Sequence, residues 1–126
     1  MEISKDTKSF VNNLLSLPAT GNEQDWELEF ANRLRLNEFI EVLKTERLSA
    51  KQRYAIISLI LASYDEYLDY QKDNNCKIWK KISSILELDK SIYRDVLNYW
   101  ALWDEISVDN KFNITHLVRS FLTSKF

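Results

Sequence analysis

Two pairs of acidic residues have the spacing that a divalent-metal site on helices requires. Glu38 and Glu41 form a Glu-x-x-Glu pair, and Glu66 and Asp69 form a Glu-x-x-Asp pair. Residues three positions apart share one face of a helix, so each pair presents its two carboxylates together. Carboxylate oxygens are the side-chain ligands that Mg²⁺ prefers. If two adjacent helices carry these pairs, the four side chains predict a magnesium site.

The two pairs resemble the metal-binding motifs of the all-α nucleotide pyrophosphohydrolases of the MazG type. The resemblance is confined to Glu38, Glu41, Glu66 and Asp69. It implies an alternative function, the magnesium-dependent hydrolysis of nucleoside triphosphates. In that family the second pair precedes a long apolar helix, whereas here the apolar residues 55–62 come before the pair. For this reason the enzyme is ranked second.

The other residue types that commonly perform catalysis are scarce. The chain has one cysteine, Cys76, and one histidine, His116, and neither belongs to a local nucleophile motif. One Cys and one His are too few for a structural zinc site. The only glycine, Gly21, cannot make a glycine-rich phosphate loop. We therefore predict a protein that is not an enzyme and has no catalytic residue, bound metal or cofactor.

Two stretches combine aromatic and acidic residues without a single Lys or Arg. They are LASYDEYLDY at 61–70 and YWALWDEISVDN at 99–110. Their acids are expected near the C-terminal ends of helices, where the helix dipole disfavours a negative charge by about 0.3–1 kcal/mol. Acids in this position indicate either a functional use or pairing with nearby bases such as Lys72 and Lys111. The sequence leaves both possibilities open.

The functional interpretation is a surface that binds a basic partner protein. Tyrosine offers a large, rigid contact area, and surrounding carboxylates select Lys or Arg on the partner. The three tyrosines within residues 64–70 cannot all point the same way, so at least one ring should reach the surface. The predicted partner-binding residues are Tyr64, Asp65, Glu66, Tyr67, Asp69, Tyr70, Asp104, Glu105 and Asp109.

Composition predicts that helices position these residues. The chain has 126 residues, enough for one domain with a hydrophobic core, and 45% of them are hydrophobic. It has only one glycine and one proline, whereas sheets joined by hairpins depend on such turn residues. We expect an all-α fold, a single domain over residues 1–126. Six or seven helices should form an irregular bundle around a buried central helix at about residues 50–71.

Several helix boundaries follow from local patterns. Ser49 and Gln52 have the spacing of a capping box at the start of the central helix. Trp26, Phe30 and Leu34 form an apolar stripe, which predicts a helix that starts near residue 22 or 25. Asn37 either caps a separate helix or lies within a continuation of that one. The later helices are predicted from apolar residues near 78–86, 92–103 and 117–122, and the four tryptophans fall on such apolar stripes.

Charge and hydropathy restrict the partners. The 17 basic and 19 acidic residues give a net charge of −2, and the bases are scattered, so we predict no nucleic-acid binding. The longest apolar run has eight residues, against about 20 for a membrane span, and no signal peptide is apparent. We predict a cytoplasmic protein that does not bind membranes.

The predicted function is the non-catalytic binding of another protein. Its most concrete form is an inhibitor of the bacterial immunity type, which covers the basic active cleft of a toxin, for example a nuclease. The acidic, aromatic segments and the small size of the chain favour this interpretation. Electrostatic attraction would accelerate the capture of a basic partner.

Overall fold

The computed structural model describes residues 2–20, 23–107 and 111–124, and it contains seven α-helices and no β-strand in those ranges. This confirms the predicted all-α fold. The helices are α1 (Lys5–Leu15), α2 (Trp26–Glu29), α3 (Leu36–Thr45), α4 (Ala50–Tyr70), α5 (Lys77–Leu88), α6 (Lys90–Ala101) and α7 (Thr115–Thr123). Short 3-10 turns precede α3 and α5.

Helix α4 forms the centre of the bundle, as predicted. Every residue from Tyr54 to Tyr64 is buried, and helices α1, α2, α3 and α6 pack against α4. A helix that is apolar on all sides must be surrounded by others, which explains its position. The capping box is present at its start: the Gln52 N–H donates to Ser49 Oγ, and the Ser49 N–H donates to Gln52 Oε1. No helix in the described ranges is both long and apolar enough to cross a membrane.

The connection between α2 and α3 does not continue the helix that the apolar stripe predicted. Helix α2 ends after four residues, and Leu34, the last residue of the stripe, is 82% exposed. Asn32 starts a 3-10 turn because its side chain accepts a hydrogen bond from the Leu34 N–H (2.9 Å). Helix α3 is a separate helix that begins at Leu36, so Asn37 lies inside it rather than at its cap.

Helix α6 ends before Trp103, which the sequence had placed on its apolar face. Leu102 adopts a left-handed conformation (φ 45°, ψ 55°), and this conformation stops the helix. The Trp103 side chain lies outside the core and is 49% exposed. The other three tryptophans, Trp26, Trp79 and Trp100, belong to the buried core.

Candidate functional site

The predicted acidic residues at the end of α4 hold the start of α7. Asp65 Oδ1 accepts a hydrogen bond from the Ile114 N–H (3.0 Å). The Asn113 side-chain amide donates to Asp69 Oδ1 (2.6 Å) and to the backbone carbonyl of Asp65 (3.0 Å). These carboxylates therefore join the last two turns of the central helix to the connection that precedes α7.

A second pair of contacts fixes the connection before α3. Glu66 Oε1 accepts from the Arg33 N–H (3.1 Å), and Ser63 Oγ accepts from the Asn32 N–H (2.9 Å). Backbone N–H groups in such a connection have no partner within a helix, and an unpaired buried donor is costly. Glu66 thus supplies a fold-stabilising contact at the place where the sequence predicted a partner-binding acid.

Burial also changes the ionisation of Asp65. Its desolvation raises the pKa of the carboxyl above its usual value of 3.8, and the neighbouring negative charge of Asp69 raises it further. The hydrogen bond from the Ile114 N–H acts in the opposite direction, but it does not cancel the effect of burial. Ionisation of Asp65 therefore requires more free energy in the folded protein than in water.

The three neighbouring tyrosines occupy different environments. Tyr64 is 1% exposed, and its hydroxyl donates to Asp73 Oδ2 (2.8 Å). Its ring stacks on Trp79 with a centroid distance of 5.9 Å. Tyr67 is half-buried, whereas Tyr70 is 67% exposed and lies under the Arg33 guanidinium, 3.8 Å from its ring centroid. Tyr70 is therefore the ring of this group that reaches the surface.

The second predicted stretch is more open. Asp104 is exposed, and Glu105 is half-buried with its carboxylate accepting a hydrogen bond from the Ser107 N–H (3.0 Å). Asp109 lies outside the described residues. The assignment of these residues and of the α4 acids to a partner-binding surface stays a prediction.

The magnesium site suggested by Glu38, Glu41, Glu66 and Asp69 is not assembled. No group of three or more His, Cys, Asp or Glu side chains that could hold a metal ion occurs in the described parts of the chain. Glu38 is instead bound by both nitrogens of the Arg35 fork, at 2.9 and 2.6 Å. This contact holds the pKa of the Glu38 carboxyl below its usual value. The i, i+3 spacing was correct for a shared helix face, but Glu38 and Glu41 pair with Arg35 and Lys44 nearby in the chain, and Glu66 and Asp69 contact distant residues.

A different concave surface combines acidic and aromatic side chains. It is a cleft of about 310 Å³ between the start of α1, the segment around α2, and helices α4 and α6. We call it the acidic cleft. Its lining residues are Glu2, Ile3, Lys8, Gln24, Glu27, Tyr54, Ser58, Asp95, Val96, Tyr99 and Trp100. The lining contains three carboxylates (Glu2, Glu27 and Asp95) and one ammonium group (Lys8), so its net charge is negative.

The carboxylates of the acidic cleft act on its tyrosines. Burial raises the pKa of Tyr54 above its ordinary value, and the negative charges of Asp95 and Glu27 raise it further. Burial likewise raises the pKa of Tyr99, with Glu27 as the largest charge contribution. The negative charge of Glu27 therefore contributes to the raised pKa of both tyrosines. A negative field of this kind favours a positively charged group in the cleft.

The aromatic side of the acidic cleft is held in place by ring contacts. Tyr99 stacks on Phe112 (5.7 Å between centroids) and meets Trp100 edge to face (5.3 Å). Tyr99 is 47% exposed, whereas Trp100 is only 2% exposed. The indole Nε1 of Trp100 has no hydrogen-bond partner in the part of the chain that the structure describes. Buried donors are nearly always paired, so this buried N–H is an exception among the described residues.

Sequence patterns gave no signal for the acidic cleft. Glu27 and Asp95 belong to different helices and are brought together only by the packing of α2 and α6 on α4. Neither residue lies in a motif, and each reads as an ordinary exposed acid of its own helix. The nearest indication was the enrichment of aromatic residues near Tyr99.

Comparisons with known proteins supply no further constraint on the site. No protein-family model, no curated protein and no solved structure matches this chain.

Proposed function

We propose that the protein is a non-catalytic binding protein that captures a basic partner protein, and that the acidic cleft is the recognition surface. The observation that carries the proposal is that Glu2, Glu27 and Asp95 line the same cleft as the half-exposed ring of Tyr99. A Lys or Arg of the partner would find carboxylates at the rim and an aromatic face beside them. Both features favour a cation.

The charge distribution within the acidic cleft suggests how the partner is oriented. Lys8 lies on the α1 side, whereas Glu27 and Asp95 are contributed by α2 and α6. A cationic side chain should therefore enter on the side of α2 and α6.

The most concrete form of this proposal remains an inhibitor of the bacterial immunity type that acts in the cytoplasm. Such a protein would cover the basic active cleft of a toxin domain, for example a nuclease. The support is physical: a small chain of net charge −2 with an acidic, aromatic concave surface. Long-range attraction between opposite charges would give fast association that slows as salt is added.

The test is affinity capture followed by reconstitution with the purified partner. We expect the wild-type protein to retain a basic protein at low salt and to release it as the salt concentration rises. The double variant Glu2→Gln/Glu27→Gln should bind that partner about tenfold or more weakly, because it loses two carboxylates without a change in size. If the partner is a toxin, an equimolar amount of the wild-type protein should abolish its activity.

The matched control is Glu41→Gln/Glu46→Gln, which removes the same charge from α3 and its end, outside the acidic cleft. This variant should bind like the wild type. Equal loss in both double variants would show that only the net charge matters. A captured partner that is acidic, or binding that neither variant changes, would overturn the proposal.

A further inference from the structure

A second concave surface lies on another side of α6 and has the opposite charge. It is a groove of about 350 Å³ between α6 and α7, here called the α6–α7 groove. Its lining residues are Lys90, Arg94, Leu97, Asn98, Trp103, Phe121 and Leu122. The charged residues among them are both basic. The remaining lining is apolar apart from Asn98.

Trp103 is held in a fixed position at this groove although half of it is exposed. Its indole Nε1 donates to the side-chain oxygen of Asn98 (3.1 Å). The Arg119 guanidinium lies over its ring, 5.8 Å from the centroid. An exposed aromatic side chain that is already immobilised loses little entropy when a partner covers it. Tryptophan is also the residue type most enriched among energetically dominant interface residues.

The backbone that presents Trp103 is unusual and is held by the same arginine. Leu102 has a positive φ of 45°, a conformation that costs a non-glycine residue about 1–2 kcal/mol. Arg119 donates hydrogen bonds to the backbone carbonyls of Ala101, Leu102 and Glu105, and so caps the end of α6. Strained backbone that is fixed from several sides tends to occur at functional sites. Here it turns Trp103 out of the core.

The basic rim indicates the charge of the occupant. Arg94 is exposed and has no ion pair in the described ranges. Lys90 lies 3.9 Å from the carboxylate of Glu87 and 5.6 Å from the Phe121 ring centroid, at the apolar end of the groove. Arg94 is therefore positioned to pair with a carboxylate from outside.

We propose that the α6–α7 groove docks an acidic amphipathic helix of a second protein. The apolar face of that helix would cover Trp103 and Leu122, and a carboxylate on its flank would pair with Arg94. An apolar helix face with anchors at i, i+3, i+4 and i+7 matches a groove between two helices. The proposal is independent of the acidic cleft, because it concerns another surface and a partner of opposite charge. Together the two surfaces would let the protein bind two partners of opposite charge.

The experiment uses two labelled probe peptides and the full-length chain. Both peptides carry leucines at helical spacing, one with glutamates and the other with lysines on its flanks. We expect fluorescence anisotropy to show that the glutamate peptide binds more tightly than the lysine peptide. Trp103→Ala should weaken its binding about tenfold or more, as expected for an anchor residue. Arg94→Glu should reverse the preference between the two peptides, an outcome that misfolding cannot produce.

Two controls separate this groove from other surfaces. Leu34→Ala removes another highly exposed apolar side chain outside the groove and should leave peptide binding unchanged. Glu2→Gln/Glu27→Gln should likewise have no effect. Equal affinity for the two peptides, or full binding by Trp103→Ala, overturns the proposal. So does a wild-type dimer in sedimentation equilibrium that Trp103→Ala converts to a monomer, because a second copy is then the occupant.

Discussion

The side chains of Asp65, Glu66 and Asp69 each contact a residue 33 to 49 positions away in the chain. These contacts explain why acids are present where the helix dipole disfavours them. Each carboxylate accepts a hydrogen bond from a connection that has to be fixed to the central helix, and this benefit opposes the unfavourable dipole interaction. From the sequence, the expected compensating groups were nearby bases such as Lys72 and Lys111.

Asp65 provides a test of this structural role. Asp65→Ala leaves the Ile114 N–H without its acceptor, so we expect the free energy of unfolding to fall by about 1–3 kcal/mol. Asp65→Asn keeps an oxygen that can accept the same hydrogen bond and should be much less destabilised. Urea unfolding of the three proteins at neutral pH measures both effects. Equal stability of Asp65→Ala and the wild type would contradict the assignment.

The raised pKa of Asp65 also predicts a dependence on pH. A group whose pKa is higher in the folded than in the unfolded protein favours folding most at low pH. That contribution is complete below the ordinary value of 3.8 and is lost as the pH rises through the folded pKa. The free energy of unfolding of Asp65→Asn should therefore increase relative to that of the wild type as the pH rises from 3.8 through the folded pKa of Asp65. Urea titrations at a series of pH values test the sign, and a difference independent of pH would disprove it.

At the scale of the helices, residues other than glycine adopt the left-handed conformation at several helix ends. Ser16, Asn75, Cys76 and Leu102 adopt positive φ values in the described ranges, where glycine is the usual choice. Ser16 ends α1 in the left-handed conformation, and the Leu17 N–H then donates to the Asn12 carbonyl (2.9 Å). The composition correctly indicated helices, but it did not reveal that other residues would take the place of glycine at their ends.

A glycine at position 16 should stabilise the protein. Ser16→Gly removes the steric penalty of the left-handed conformation, and the greater freedom of the unfolded chain offsets only part of this gain. We expect an increase in the free energy of unfolding of about 0.5–1 kcal/mol. The matched control is Ser9→Gly, the same change at an exposed position inside α1, which should destabilise. Thermal unfolding of both variants gives the comparison, and shifts of the same sign would refute the explanation.

At the scale of the whole molecule, one hydrophobic core connects all seven helices. Three tryptophans belong to that core: Trp26 in α2, Trp79 in α5 and Trp100 in α6. The two oppositely charged concave surfaces lie on different sides of α6, which contributes residues to both. The arrangement of α6 on this common core therefore determines both proposed binding sites.

A single core predicts cooperative unfolding. We expect tryptophan fluorescence and far-ultraviolet circular dichroism to give the same midpoint in urea, because small domains with one core usually unfold in one step. Ala50→Gly at the start of α4 serves as a control, since it should shift both midpoints equally. Separate fluorescence and dichroism transitions would indicate that part of the bundle unfolds on its own.

The sequence by itself determined the all-α class, the central position of α4 and the capping box at Ser49, because these follow from composition, periodicity and contacts within a few residues. Only the tertiary structure decided the partners of Asp65, Glu66 and Asp69, the exposure of Trp103, and the existence of the acidic cleft and the α6–α7 groove. These features depend on contacts between residues far apart in the chain. A carboxylate on a helix face looks the same in sequence whether it meets a metal ion, a partner protein or a backbone N–H from another helix.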